Sequence, residues 1–378
     1  MVFLHTSDWH LGATDDKYDL YEDQLYFIDQ ICSIVKERSV DAVLLAGDVY
    51  DRAIASSSAI HLFDYAMNRI CQELNKKVLL IAGNHDSAER LSSCEKLLEK
   101  AGLYISGSLE TEPKVISFDD SEVFFLPWIT EEKVNSLYPK EKEAINNLTD
   151  AYRVVTRHMQ DNFSPDKRHI VISHAFITNS ETSTSDRAAE IGFATQIPAS
   201  VFDGFDYVAL GHIHKPQNVN DHIRYSGTPM PYSFGKEELQ EKSITLFDTT
   251  TMSQEVIPLS LLHRRTTFTG SFDALLNPNC TEEEKNGYVR LNVTDTAVGF
   301  ELYSKLKQTY PHLLKVSAKP YEGDGTTITL TIEELEKMES NPIEVFKSFC
   351  REEVDQEATP HFIDLFEQAV KALEEETI

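Results

Sequence analysis

Five short stretches set carboxylates, imidazoles and one amide in the same local context. They are "TSDWH" (Asp8, His10), "AGDVYD" (Asp48, Asp51), "AGNHD" (Asn84, His85, Asp86), "SHA" (His174) and "GHIH" (His212, His214). Each follows an apolar run that reads as a buried strand. The crevice beyond the carboxyl ends of parallel strands is where ligands collect in such sheets, so side chains far apart in sequence converge there. A period of two puts Asp8 and His10 on one side of an extended segment, and likewise His212 and His214.

The donor set is chemically selective. Asp8, Asp48, Asn84, His10, His174, His212 and His214 offer oxygen and imidazole nitrogen and no thiolate, which suits Mn²⁺, Fe²⁺ or Zn²⁺ better than a structural zinc site. A carboxylate can bridge two ions, and two metals about 3.5–4 Å apart are a device for phosphoryl chemistry. Gly47, Gly83 and Gly211 mark points where the backbone must turn and admit ligands. Taken singly, each stretch has a plainer reading, as a turn, a helix cap or a satisfied core histidine. Their common position at strand ends joins them into one set. The other eight histidines fall outside that pattern.

The elements needed to position this set are legible. "VFLHTS" (2–7), "DAVLLAG" (41–47) and "KVLLIAG" (77–83) read as strands, separated by helices over 19–38 and 56–74. A helix is predicted over 86–102, with Asp86 and Glu89 as a capping pair and Gly102 at its end. "EVFFLPW" (122–128), "HIVISHA" (169–175) and "DYVALG" (206–211) are further strands, and a long polar helix is predicted around 141–160. Alternating units of this kind make an α/β fold with a parallel sheet covered on both faces. From about 264 a small α+β unit begins, with strands at "RTTFTG", "GYVRLNV", "LLKVSAKP" and "TTITLTI" and a helix at 299–309. Residues 342–378 read as helical. After Thr359–Pro360, the residues Phe362, Leu365, Phe366, Ala369 and Leu373 form one apolar stripe, which either folds back on the chain's own core or, being acidic on its other side, suits a partner groove better.

Composition bounds the function. The 378 residues carry a net charge of −27, and residues 331–378 hold 14 Asp/Glu against 4 Lys/Arg. That balance argues against a broad electrostatic grip on nucleic acid by this chain alone. The five cysteines are scattered and never CxxC, which suggests reduced thiols and a cytoplasmic protein. No signal peptide and no membrane span are expected.

With these residues in hand, the chain resembles the calcineurin-like metallophosphoesterases and, more narrowly, the SbcD nuclease subunits. "LHTSDWHLG", "AGDVYDRA", "LLIAGNHDS", "SHAFITNSETSTSDR" and "FDYVALGHIHKPQ" followed by "RYSGTPMPYSF" carry the resemblance. It implies a two-sheet metallophosphoesterase sandwich flanked by helices over 1–260, an α+β capping domain over 264–338 and C-terminal helices over 342–378. It implies one metal held by Asp8, His10, Asp48 and His214, and another by Asp48, Asn84, His174 and His212, most often Mn²⁺, with Mg²⁺, Fe²⁺ or Zn²⁺ possible. His85 would assist the leaving oxygen, and the Asp51 carboxylate would orient His85.

The implied activity is ATP-regulated 3′→5′ exonuclease action on duplex DNA and endonuclease action on single strands and hairpins. Its partner would be an SbcC-type ABC/SMC ATPase bound through residues 342–378. A homodimer through helices near 56–100 would sit within a heterotetramer. Lys17, Arg52, Lys215 and Lys236 are candidate DNA contacts. "AIASSS" (53–58) departs from the proline-bearing loop usual in the family. The alternatives are a phosphatase or small-molecule phosphodiesterase on the same core, and a scaffold for the ATPase. A compact phosphatase would need neither the separate unit nor the terminal helix, and a degenerate scaffold would have lost at least one ligand.

Overall fold

The computed structural model describes residues 1–15, 18–186, 196–296, 298, 300–318, 328–331, 343, 346–347, 350 and 359–376. The chain forms two compact units, Met1–Leu262 and His263–Ile378.

The first unit is a sandwich of two six-stranded sheets. Across one sheet the strands run Ser253–Pro258, Ser243–Asp248, Val2–Thr6, Ala42–Ala46, Lys77–Ile81 and Leu103–Ser106. The last four are mutually parallel, and the first two form an antiparallel edge. The other sheet runs Gln217–Asn218, Ile223–Tyr225, Tyr207–Gly211, Arg168–His174, Ser121–Leu126 and Val115–Ser117, with four parallel central strands.

Alternation along each strand decides what meets between the sheets. Phe3, Leu44, Ala46, Leu79 and Ile81 from one sheet share a core with Val123, Phe125, Ile170, Ile172 and Ala209 from the other. The intervening residues point outward and are buried too. Phe124, Leu126, Val171, Val208 and Leu210 pack with Ala151, Tyr152, Val155 and Met159 of the helix Leu148–Gln160. Burial on both faces is why these strands read as continuous apolar runs. The Asn147 side chain caps that helix by accepting from Asp150 N at 2.9 Å, an interaction worth about 1 kcal/mol.

Three helices differ from expectation. The predicted helix over 56–74 is α-helical over Ser57–Met67 and closes in a wider turn over Asn68–Glu73. The stretch 141–160 is a short 3₁₀ turn before the helix begins at Leu148. The predicted helix over 86–102 is broken into Ala88–Leu91, Glu95–Leu98 and a 3₁₀ turn, because Cys94 sits at φ 62°. Its expected cap also fails: Asp86 is engaged elsewhere.

The second unit has a four-stranded sheet in the order Arg265–Gly270, Tyr288–Val293, His312–Ala318 and Ile328–Thr331. The first two pairings are parallel and the last antiparallel. Thr281 and Glu284 form a capping box at the helix Glu282–Asn286. The terminal helix spans Pro360–Glu376 and exposes Phe362 and Leu365, 56% and 48% accessible, while Phe366 stacks on Phe346 at 4.4 Å. Most of the sequence from 332 to 358, including much of the expected C-terminal helical segment, lies outside the described residues. Among the described residues no helix is long and apolar enough to cross a membrane.

Candidate metal centre

Asp8 and His10 follow Val2–Thr6, Asp48 follows Ala42–Ala46, and Asn84 and His85 follow Lys77–Ile81. His174 ends Arg168–His174, and His212 and His214 follow Tyr207–Gly211. All seven proposed ligands converge in one cluster at these strand ends, drawn from both sheets.

On one side, Asn84 Oδ1 lies 2.9 Å from His174 Nε2 and 3.0 Å from His212 Nδ1. Asp48 Oδ2 is 3.3 Å from the same His174 nitrogen. His174 Nδ1 donates to Ala46 O at 2.9 Å, which turns Nε2 inward, as second contacts do for metal-binding histidines. The Trp128 ring stacks on His212 at 5.2 Å. On the other side, His10 Nε2 and His214 Nε2 face each other at 3.1 Å, and Asp48 Oδ2 is 3.8 Å from His10 Nε2. Asp48 stands between the two groups.

The backbone is not extended here. Asp8, His10, Asp48 and His212 have φ values of 54°, 44°, 48° and 99°. Such conformations cost on the order of 1–3 kcal/mol each and persist only where surroundings enforce them. This corrects the period-of-two reading: His212 and His214 turn apart, His212 toward Asn84 and His214 toward His10. Two glycines permit the crowding. A Cβ on Gly211 would lie 1.9 Å from Ala46 O, and one on Gly47, at φ 84°, would lie 2.4 Å from His174 Nδ1.

Electrostatics follow from burial. Burial holds His10 and His212 down to about 3 and His214 well below the ordinary imidazole value. These rings are therefore neutral at pH 7, the form that ligates. Burial raises Asp8 to about 7. Burial also opposes charge on Asp48 and His174. Their mutual attraction outweighs it, holding Asp48 well below the usual carboxylate range and lifting His174 to about 9. Asp8 Oδ1 accepts from His212 N at 2.9 Å, while Asp8 Oδ2 and His10 Nδ1 are buried with no hydrogen-bond partner among the described residues. A buried carboxylate oxygen without a donor, aimed among inward-facing imidazoles, fits a bound cation.

His85 stands at the rim. Its amide donates to Asp48 Oδ1 at 2.9 Å, and its Nε2 is 4.0 Å from Asp48 Oδ2. Its Nδ1 donates to Asp51 O at 2.8 Å. The orienting group is therefore the Asp51 main-chain carbonyl and not its carboxylate, which lies 3.8 Å from His10 Nδ1. The turn after Val49 presents the carbonyl to the ring and the side chain to the neighbouring imidazole. A pocket of about 240 Å³ opens beside these residues, lined by His10, Asp51, His85, Ser185, His214 and Tyr232 among others.

Of the candidate DNA contacts, Arg52 is exposed and lies 3.4 Å from Asp51, Lys215 pairs with Glu181, and Lys236 is exposed at the start of a short 3₁₀ turn. Lys17 lies outside the described residues.

Asp86, read in the sequence as a helix cap, and several residues not singled out there hold the site together. Asp86 accepts from the amides of Val49, Tyr50 and Gly83, holding the Asp48 loop against the Asn84 loop. Gln24 donates to His10 O at 2.8 Å and accepts from Gly12 N at 3.0 Å. Asp186 accepts from His214 N at 3.1 Å, and Ser185 Oγ lies 2.5 Å from His214 Nδ1. Trp128 closes "EVFFLPW", so the strand-end rule alone could have found it. Gln24, Ser185 and Asp186 carry no such signal.

Residues 1–216 match the calcineurin-like phosphoesterase family. Residues 262–354 match the family described as the Type 5 capsule protein repressor C-terminal domain. The chain is similar to the SbcD component of the SbcCD nuclease of Staphylococcus epidermidis (strain ATCC 12228 / FDA PCI 1200), 32% identical over 321 residues, 84% of this chain and 85% of that protein. Among solved structures it is similar to Yfce, a phosphoesterase from E. coli, at TM-score 0.28 and 11% identity, covering 69% of this chain and 100% of that one. It is also similar to a dimetal phosphatase from Danio rerio, at TM-score 0.35 and 12% identity, covering 65% and 91%.

Proposed function

The chain belongs to the calcineurin-like phosphoesterases, in the branch of the SbcD nucleases, and from that premise we propose how its residues divide the work. It is a metal-dependent phosphodiesterase, a nuclease that acts on DNA beside an SbcC-type ATPase. Asp8, His10, Asp48 and His214 would hold one cation, and Asp48, Asn84, His174 and His212 the other. Mn²⁺ is the proposed ion, on the family resemblance; the nitrogen and oxygen set itself suits Mn²⁺, Fe²⁺ or Zn²⁺. The observation that carries the reading is the convergence of His174 Nε2, His212 Nδ1, Asn84 Oδ1 and Asp48 Oδ2 beside Asp8 Oδ2, which has no hydrogen-bond partner among the described residues.

Cations held there would supply a more acidic water and neutralise charge on the phosphodiester. The protein's own part is to aim and to move protons. A carbonyl can only accept, so the Asp51 O contact keeps hydrogen on His85 Nδ1 and leaves Nε2 to face the substrate. Protonated at Nε2 and steadied by the Asp48 carboxylate 4.0 Å away, His85 gives its proton to the departing 3′-oxygen.

The finer assignments belong to the same proposal. The strand polarity is 3′→5′ on duplex ends, with endonuclease action on single strands and hairpins. Residues 264–338 cap the DNA, and the exposed aromatic face of Pro360–Glu376 docks on the ATPase. Two copies join through residues 56–100 within a heterotetramer. Arg52, Lys215 and Lys236 contribute local DNA contacts, and Lys17 is proposed from sequence alone. Five unpaired cysteines support a reducing, cytoplasmic setting.

The test is Mn²⁺-dependent degradation of end-labelled single- and double-stranded DNA by the wild type and by His85→Gln. Cleavage by the wild type and a loss of about 10²–10⁴-fold in the variant, with metal content unchanged, is the expected result. Equal activity of the two proteins would remove His85 from the chemistry. A wild type that cleaves a small phosphodiester but no DNA, even with the partner ATPase added, would favour the phosphodiesterase reading.

A further inference from the structure

Lys242 and Glu237 form an ion pair in which both side chains are fully buried. The Lys242 ammonium lies 2.9 Å from Glu237 Oε1, 2.8 Å from Thr228 Oγ1, 3.2 Å from His214 O and 3.2 Å from Gln240 Oε1. The other Glu237 oxygen accepts from the amides of Tyr232 and Ser233, at 3.2 and 2.8 Å, and from the Ser233 hydroxyl at 2.7 Å. Tyr232 in turn donates to Trp9 O, and its ring lies 5.6 Å from that of His10. The pair therefore joins the segment that carries His214 to the segment that packs against His10.

His214 is held at three points by this network. Lys242 takes its carbonyl, Asp186 its amide and Ser185 its Nδ1. Gln240 links the first two grips by donating to Ser183 Oγ at 3.0 Å, and Ser183 N donates to Asp186 at 2.7 Å. A buried ion pair adds little net stability over apolar residues of equal volume, because desolvation offsets its attraction. What it supplies here is direction. The ammonium draws four acceptors to one point, and Glu237 cancels a positive charge that would otherwise oppose a nearby cation.

We propose that Lys242 and Glu237 are positioning residues that set the approach of His10 and His214, and through it the affinity for the cation those two rings hold. The proposal rests on the assignment of His10 and His214 as metal ligands made above. It separates the two ion sites: one half of the centre depends on the pair and the other does not.

The experiment uses the full chain, stripped of metal by chelation and titrated calorimetrically with Mn²⁺. Wild type is compared with Lys242→Met/Glu237→Gln and with Thr228→Val, and each metal-free protein is also melted. Wild type takes up two ions. The double variant weakens one site by about 10–100-fold, as loss of outer contacts does, leaves the other unchanged and melts near wild type. Excess Mn²⁺ restores its hydrolysis of a small phosphodiester. Thr228→Val weakens the same site several-fold, and it decides the matter if the double variant does not fold. Unchanged affinity in a folded variant, or equal weakening of both sites, overturns the proposal. A wild type that binds no Mn²⁺ overturns the metal-centre reading, and this inference with it.

Discussion

The two halves of the metal centre are held by different kinds of structure. His174 and His212 leave regular strand ends, and their restraints come from other strand ends: Ala46 O on His174, the Asp8 carboxylate on the His212 amide, and Trp128 stacked on His212. His10 and His214 lie a few residues beyond the strands, and side chains from a helix and from loops restrain them: Gln24 of the helix Tyr21–Glu37, and Tyr232, Ser185, Asp186 and Lys242. A strand end is positioned by the whole sheet and loses little when one side chain changes. A loop held by side-chain hydrogen bonds is only as well placed as those bonds. The lesson is that one half of the proposed centre is built into the fold and the other is assembled on it.

The comparison breaks most severely at Asp48, the residue common to both halves. Asp48→Asn removes the shared negative charge, and calorimetry should show both Mn²⁺ sites lost together with all DNA cleavage. Retention of either site at wild-type affinity would mean that Asp48 is not shared.

A milder probe uses pH, because the halves differ in what they must lose. His10, His212 and His214 are neutral above pH 6.5, so metal displaces no proton from them. Asp8, raised to about 7, and His174, raised to about 9, retain protons near neutrality that a cation must expel. Mn²⁺ affinity should therefore rise between pH 6.5 and 9, with proton release seen as heat that varies with the buffer. The metal-free protein should show the opposite trend. A histidine with a raised folded pKa stabilises fully below its unfolded value and loses that contribution as pH climbs through the folded one. Its melting temperature should fall across the same window. A flat or rising melting temperature would show that the His174–Asp48 pair is not ionised in the metal-free protein.

The smallest effect is predicted at Asp51. Because His85 is oriented by the Asp51 carbonyl, Asp51→Ala leaves that hydrogen bond in place. The substitution should lower cleavage by less than about tenfold, far less than removal of a general acid does. A loss as deep as that of His85→Gln would return the orienting role to the carboxylate.

Much of this was legible in the residue string. Apolar runs such as "DAVLLAG" and "KVLLIAG" announced buried strands, since a parallel strand needs apolar side chains on both faces. The proposed ligands could be named from sequence because metal chemistry depends on the identity of single side chains, and the structure brings them together. The helix over 86–102 was misread for a physical reason. Asp86 has the composition of a cap, yet its carboxylate satisfies three amides from the Asp48 and Asn84 loops, and local sequence contains no trace of those partners.

By itself, then, the sequence determined which atoms are available for a metal centre and which strands end beside them, because both follow from local chemistry and period. The tertiary structure alone decided which nitrogen of each histidine turns inward, whether a carbonyl or a carboxylate steadies His85, and what grips His214. Those depend on contacts such as His10 with His214, 204 residues apart, and His174 with Ala46, 128 apart. Such pairs exist only once two sheets have packed in one register, and register is a property of the assembled core, not of any stretch that enters it.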